Sequence, residues 1–130
     1  MKIRTLGQER SEFALTKVLQ NKDTTALKSF SAGAPSMILQ NGFGHALAFW
    51  AAKDKKDKKD KNEHKALLSM VMEWLEKKEF IQSNGKKEDF FKTLSTVSQQ
   101  EYFAAQQEAL HLLEWVKRYA NAFIQDNEKR

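Results

Sequence analysis

The sequence predicts an all-α protein, a single-domain bundle of about six helices that ends in a long C-terminal helix. Apolar side chains recur every three or four residues through most of the chain, which is the period of an amphipathic helix. The 130 residues include only five Gly and one Pro, too few for the turns of a many-stranded sheet. Because a chain of this length has room for one core, we assign residues 1–130 to one domain.

Three helices are predicted before residue 54. Thr5 and Gln8 form a capping box, and the helix that it opens is expected to run from about Leu6 to Gln20. A short second helix is expected from Ala26 to about Gly33. The third is expected from Pro35 to about Lys53, because proline suits the first turn of a helix.

Two glycines, Gly42 and Gly44, interrupt the third predicted helix. A glycine in a helix interior costs about 1 kcal/mol relative to alanine, so each needs a structural reason. Either the helix breaks at Asn41-Gly42, with Gly42 as a left-handed cap, or another backbone passes too close for a side chain. The sequence leaves both explanations open.

A charged tract and three more helices follow. Lys53 to Lys61 reads KDKKDKKDK, and because it has no apolar residue we expect an exposed charged connector at about residues 53–62. A fourth helix is predicted up to the turn Ser83-Asn84-Gly85, and a short fifth one around Phe90 to Val97. Ser98 and Glu101 form a second capping box, which opens a final helix to about Gln125.

Composition narrows the class of protein. Cys is absent, which excludes a disulfide scaffold, a thiolate zinc site and a Cys nucleophile. No stretch approaches the roughly 18 apolar residues of a membrane helix. We therefore expect a cytoplasmic protein without a membrane partner. The net charge of +5 lies wholly in the N-terminal half, and this asymmetry makes a polyanionic partner plausible.

No catalytic, cofactor or metal site is predicted. Glu108 and His111 form a Glu-x-x-His pair, the unit of di-iron carboxylate bundles, but such a site needs a second copy and two more glutamates. Neither His45 nor His64 completes one. The tryptophans fall on apolar helix faces, so we assign them to the core and not to base stacking: Trp50, Trp74 and Trp115.

Basic side chains on or beside helices remain as candidates for nucleic-acid binding. Arg10 and Lys17 are seven residues apart and therefore share one helix face, with Arg4 just before that helix. Contacts of this kind reach the phosphate backbone and not the bases. A solvated basic face without a ligand is the other open interpretation. The predicted nucleic-acid-binding residues are Arg4, Arg10, Lys17, Lys53, Lys117 and Arg118.

Three segments resemble a known family along nearly the whole chain. They are RTLGQER at Arg4–Arg10, APSMILQNG at Ala34–Gly42 followed by LAF at Leu47–Phe49, and EALHLLEWVKRYA at Glu108–Ala120 after Tyr102. In order and spacing they are similar to the small helical subunit of the type III-B CRISPR effector complex, the Cmr complex.

The resemblance implies a non-catalytic subunit that stacks in several copies along guide RNA and target RNA. It would stabilise the duplex and the assembly by backbone contacts, with the other Cmr subunits and further copies of itself as partners. The alternative from another class is a helical protein-interaction module without direct nucleic-acid contact, whose basic surplus only keeps it in solution. Salt-dependent RNA binding distinguishes the two.

Overall fold

The computed structural model describes residues 2–24, 26–56 and 62–125. These ranges contain six α-helices: α1 (Leu6–Gln20), α2 (Leu27–Asn41), α3 (Phe43–Lys56), α4 (Glu63–Lys77), α5 (Lys87–Thr96) and α6 (Gln99–Phe123). The predicted all-α class is confirmed, as is the long C-terminal helix, since α6 has 25 residues. No helix in the described part of the chain is long and apolar enough to cross a membrane.

Both capping boxes predicted from the sequence are present. The Thr5 hydroxyl accepts from the Gln8 backbone N–H at the start of α1, and the Gln8 side chain accepts from the Thr5 N–H. Ser98 and Glu101 make the same reciprocal pair at the start of α6. Because each box satisfies two amide donors that a helix start leaves unpaired, these two boundaries are encoded within four residues of chain.

Two helices lie between Ala26 and Lys53, as predicted, but the predicted break between them near Gly33 is wrong. Helix α2 runs without interruption through Gly33 and Pro35 and ends at Gly42. Proline in a helix interior removes one hydrogen bond and crowds the preceding turn. The break is avoided because Pro35 lies on the buried face of α2, with Leu27, Ala34 and Ile38, and tertiary burial outweighs the local cost.

The two glycines between α2 and α3 have different roles. Gly42 ends α2 with φ +95° and ψ 149°, a backbone region that is almost exclusive to glycine. Gly44 lies inside α3, and its N–H donates to the Tyr102 hydroxyl over 2.9 Å. A Cβ at Gly44 would stand 3.3 Å from that oxygen. The chain therefore breaks at Gly42, and the close approach at Gly44 comes from a side chain of α6, not from a backbone.

The fourth helix is shorter than predicted, because α4 ends at Lys77. Glu79 takes a positive φ of 64°, and the Phe80 N–H donates back to the Leu75 carbonyl. This turn ends the helix but still returns Ile81 to the core, where it is 1% exposed. Because Ile81 is apolar and buried, the sequence pattern predicted a further helical turn there.

The predicted connector at residues 53–62 is only partly described. Residues 53–56 form the last turn of α3, and Asn62 is a buried cap whose side-chain oxygen accepts from the Lys65 N–H at the start of α4. Residues 57–61, with the side chains of residues 55 and 56, lie outside the described residues. The exposure predicted for that stretch stays a prediction.

Helix α6 is the centre of the packing, with α1 and α2 lying along it and α4 in contact with both α1 and α6. Its buried stripe is mainly small and aliphatic, and consists of Ala105, Glu108, Ala109, Leu112, Leu113, Val116 and Ala120. Trp50 and Trp74 are fully buried, as predicted, whereas Trp115 is half-buried beside Tyr119. Phe123, the last residue of α6, is 46% exposed.

We expect Gly42→Ala to destabilise the fold by about 1–3 kcal/mol, the usual cost of forcing a side chain into a backbone region reserved for glycine. The matched control is Gly33→Ala within α2, where an added Cβ meets nothing within 4 Å. That substitution should raise stability by up to about 1 kcal/mol, because alanine is the better helix former. Denaturant unfolding of both variants checks this. Equal effects would show that Gly42 is not strained.

Candidate nucleic-acid interface

The Glu108 carboxylate joins three helices. It lies on the buried stripe of α6 and is 4% exposed. Arg10 of α1 donates to it twice, from Nε to Oε2 over 2.7 Å and from Nη2 to Oε1 over 2.9 Å. Trp74 of α4 donates its indole Nε1–H to Oε2 over 2.8 Å. A bidentate arginine pair is the strongest arrangement available to a buried carboxylate, so this contact fixes α1 and α4 on α6.

Burial and hydrogen bonding act on Glu108 in opposite directions. Burial is the largest single influence and favours the neutral acid, but the hydrogen bonds from Arg10 and Trp74, with the charges of Arg10 and His111, outweigh it. The net effect lowers the pKa of Glu108 below its ordinary value. The same hydrogen bond raises the pKa of Arg10. Both groups are therefore charged at neutral pH, as a buried pair requires.

The assignment of Arg10 to an exposed basic face needs correction. The Arg10 side chain is only 16% exposed, and its guanidinium is occupied by Glu108. Breaking that pair would leave a buried charge without compensation. Arg10 therefore positions α1 instead of offering a free cation to a phosphate. The Arg10 contact also accounts for the Glu-x-x-His pair of the sequence. Glu108 is bonded to Arg10, whereas the His111 side chain is exposed.

Arg4 and Lys17 lie along one groove of about 500 Å³ between α1 and the C-terminal end of α4. Two further cations, Lys77 and Lys78, line the same groove and were missed in the sequence. Lys17 and Lys77 lie over the Phe13 ring, at 5.4 and 5.8 Å from its centroid. The groove also contains three carboxylates, Glu9, Glu12 and Glu73, so its excess is one positive charge.

Two ion pairs in this groove differ from the Arg10 pair, because their carboxylates are exposed. Arg4 contacts Glu12 over 2.7 Å, and the Glu12 side chain is 66% exposed. Lys17 contacts Glu73 over 2.9 Å, and the Glu73 side chain is 53% exposed. Lys78 pairs with Glu9 and lowers the pKa of that carboxyl. Exposed ion pairs contribute little to the stability of the fold. A phosphate could therefore replace the carboxylate beside Arg4 or Lys17 at a low cost in free energy.

The other predicted site residues lie outside the groove. Lys53, exposed near the end of α3, stands 5.5 Å from the Phe49 ring centroid. On α6, Arg118 is exposed and Lys117 is half-buried. The structure thus gathers two of the six predicted residues, Arg4 and Lys17, and adds Lys77 and Lys78. Within the described ranges, no three potential metal-binding side chains among His, Cys, Asp and Glu are grouped closely enough to hold an ion.

We expect Glu108→Gln to lower the free energy of unfolding at neutral pH by about 3 kcal/mol, because it leaves the Arg10 charge unpaired in a largely buried site. The control Glu12→Gln, which breaks the exposed pair with Arg4, should cost less than about 1 kcal/mol. Denaturant unfolding measures both effects. Similar losses in the two variants would contradict a special role for Glu108.

The effect of Glu108→Gln should also depend on pH in one direction. A carboxyl whose pKa is lowered in the folded state adds stability above the pKa of the unfolded chain and loses it as pH falls through the folded value. The difference between the parent chain and the variant should therefore be full at neutral pH and shrink in acid, where Glu108 is protonated. A difference that is constant with pH would show that charge is not its source.

Two comparisons with known proteins agree with this fold. The sequence profile of the family described as "CRISPR-associated protein (Cas_Cmr5)" matches residues 6–123. The crystal structure of a CRISPR-associated Cmr5 family protein from Thermus thermophilus is similar, with a TM-score of 0.72 and 23% identity over 95% of this chain and 100% of that one. The structural likeness shows the shared fold, and the profile match spans the chain from the first residue of α1 to the last residue of α6. The chain therefore belongs to the Cmr5 family of CRISPR-associated proteins.

Proposed function

We propose that this chain is a non-catalytic small subunit of a type III-B CRISPR ribonucleoprotein, where several copies stack along guide RNA and target RNA. The observation that carries the proposal is the family match over residues 6–123. The other Cmr subunits, further copies of the chain and the RNA backbone are the proposed partners. The proposed place of action is the cytoplasm.

The groove between α1 and α4 is the proposed RNA contact. Arg4, Lys17 and Lys77 are its contacting residues, because the first two are held by exposed carboxylates and the third lies over Phe13. Lys and Arg gain free energy on phosphates by releasing condensed counterions. Lys53, Lys117 and Arg118 are kept as candidates for a second contact elsewhere on the surface. Arg10 affects the groove indirectly, because its contact with Glu108 fixes the position of α1.

The small charge excess of the groove implies a weak contact in each copy. Four cations are opposed by three carboxylates, so a single groove neutralises few phosphates. Several copies on one RNA would add their contacts, because binding of the first copy raises the effective concentration for the next. Weak, sequence-independent contacts of this kind suit a subunit that follows a duplex whose sequence is read by base pairing.

The Glu-x-x-His pair, the motif with catalytic potential, has a structural role. Glu108 belongs to the Glu-x-x-His pair, but its two oxygens are already bonded to Arg10 and Trp74. A carboxylate that is buried and hydrogen-bonded in this way is not positioned to abstract a proton from RNA. We therefore propose that cleavage of target RNA belongs to other subunits.

We expect the double variant Lys17→Gln/Lys77→Gln to weaken binding of single-stranded RNA equally for all sequences. The slope of log affinity against log salt should fall by about 0.7 for each phosphate contact that is lost. Fluorescence anisotropy at several salt concentrations measures this slope. Unfolding should change little, since Glu73, the partner of Lys17, is exposed.

The control is Lys28→Gln/Lys92→Gln, which removes the same charge from α2 and α5, away from the groove. It should leave the salt slope unchanged. Equal loss in both double variants would show that only net charge matters and would reject the groove as the contact. An unchanged slope in both would favour the alternative, a protein-interaction module without RNA contact.

In its native cell, the tagged chain should co-purify with guide RNA and the other Cmr subunits, whereas the purified chain alone should leave RNA uncut. Affinity purification followed by RNA sequencing and mass spectrometry tests the first half, and incubation with labelled RNA tests the second. Cutting that is lost in His111→Ala would overturn the non-catalytic role. Recovery without guide RNA or other subunits would overturn the role in the complex.

A further inference from the structure

Three aromatic side chains, Trp115, Tyr119 and Phe123, follow one another along the C-terminal half of α6, and we call them the aromatic ladder. The Trp115 and Tyr119 ring centroids are 5.6 Å apart with their planes at 32°, and those of Tyr119 and Phe123 are 6.0 Å apart at 35°. Trp115 and Tyr119 are half-buried, and Phe123 is 46% exposed. Trp115, assigned to the core from the sequence, is therefore accessible to a ligand.

Trp115 lines a pocket of about 560 Å³ between α6 and the N-terminal half of α1. On the α1 side, the lining includes Gly7, Ser11 and Leu15. The hydroxyls of Ser11 and Tyr119 are hydrogen-bonded over 2.5 Å, which fixes the second ring of the ladder against α1. The volume of the pocket lies in the range of sites that hold small organic molecules, so a planar group of the size of a nucleobase has room there.

Gly7 leaves one wall of this pocket without a side chain. It lies in the first turn of α1, where a glycine lowers stability relative to alanine. Packing within the chain does not require it, because a Cβ at Gly7 would meet only the Thr5 hydroxyl oxygen, at an ordinary distance of 3.7 Å. A ligand that occupies the pocket beside Trp115 would account for a glycine at this point.

The pocket adjoins the groove that is proposed to bind RNA, because Arg4 and Glu12 line both cavities. A phosphate on Arg4 would therefore lie at the edge of the pocket. A second cation, Arg118, is exposed three residues after Trp115, a spacing that makes the two side chains neighbours on α6. Cations beside accessible aromatic rings are the combination that binds single-stranded nucleic acid, since the charges hold the backbone and the rings stack the bases.

We infer that Trp115 stacks an unpaired base of the RNA whose backbone lies on Arg4. Every base has an aromatic face, so stacking accepts any sequence, as the proposed scaffold requires. A base inside a duplex is already stacked on its neighbours, so the pocket takes an unpaired nucleotide. The inference rests on the proposed function for the presence of RNA, and it adds a contact with bases to the phosphate contact of the groove.

The stacking contact differs from the groove contact in its response to salt. A phosphate contact weakens as salt rises, because its free energy comes from the release of counterions. Stacking of a neutral base on Trp115 releases no counterion. The preference of the chain for RNA with bases over RNA without them should therefore persist at salt concentrations that weaken total binding.

Abasic RNA tests the site directly. A single-stranded oligouridylate and an abasic oligonucleotide of the same length carry the same phosphates, so they differ only in their bases. The parent chain should bind the oligouridylate about fivefold or more tightly, which corresponds to the stacking of one base. Because Trp50 and Trp74 are fully buried, quenching of tryptophan fluorescence by the oligouridylate should come from Trp115.

Two substitutions separate the aromatic ring of Trp115 from its apolar bulk. Trp115→Phe keeps a ring and should keep most of the preference for the oligouridylate. Trp115→Leu keeps an apolar side chain without a ring and should lose that preference. The control Phe103→Ala removes a ring that is 51% exposed, about 18 Å away along α6, and should change nothing. Circular dichroism and thermal unfolding of each variant show whether the fold is intact.

Equal binding of the two oligonucleotides by the parent chain would overturn the stacking and leave the groove as proposed. A preference that survives in folded Trp115→Leu would also overturn it, because the base is then held elsewhere. In the assembled complex, RNA with a photoreactive uridine should cross-link to the peptide that contains Trp115, and a neighbouring protein covering that peptide instead would overturn the inference. A base preference together with a salt slope that Lys17→Gln/Lys77→Gln leaves unchanged supports the stacking and counts against the groove alone.

Discussion

The architecture depends on one carboxylate inside the core. Glu108 lies among the small and aliphatic side chains that α6 buries, where an uncompensated charge would be very costly. Arg10 compensates it from α1, and Trp74 donates a further hydrogen bond from α4. The two carboxylate oxygens of Glu108 therefore connect three helices that are distant in sequence. The position of α1 beside α4, and with it the groove that gathers Arg4, Lys17 and the lysines of α4, follows from this contact.

Local sequence predicted the parts of the fold that local interactions determine. The starts of α1 and α6 were predicted correctly, because a capping box is complete within four residues. The course of α2 was not, because Gly33 and Pro35 are local signals for a break that only the buried apolar face of the helix overrides. The end of α4 was missed for a related reason. Ile81 continues the apolar pattern although it reaches the core from a turn.

Prediction from the local sequence was limited in the same way for the charged residues of the candidate site. Arg4 and Arg10 look alike in the sequence, but the partner of Arg4 is exposed and that of Arg10 is buried. A signal for the second case was present, since Glu108 falls between Ala105 and Leu112 on the apolar stripe of α6 and needs a cation. The contribution of Lys77 and Lys78 had no such signal, because only the folded chain brings the end of α4 against α1.

The groove between α1 and α4 holds two of its cations by exposed carboxylates, so its proposed contact with RNA weakens as salt rises. Each contact is weak alone, because four cations in the groove are opposed by three carboxylates. Where several copies lie on one RNA, each further groove binds the same RNA without a new cost in translational freedom. In the proposed assembly, the affinity for RNA therefore depends on the number of copies more than on any one side chain.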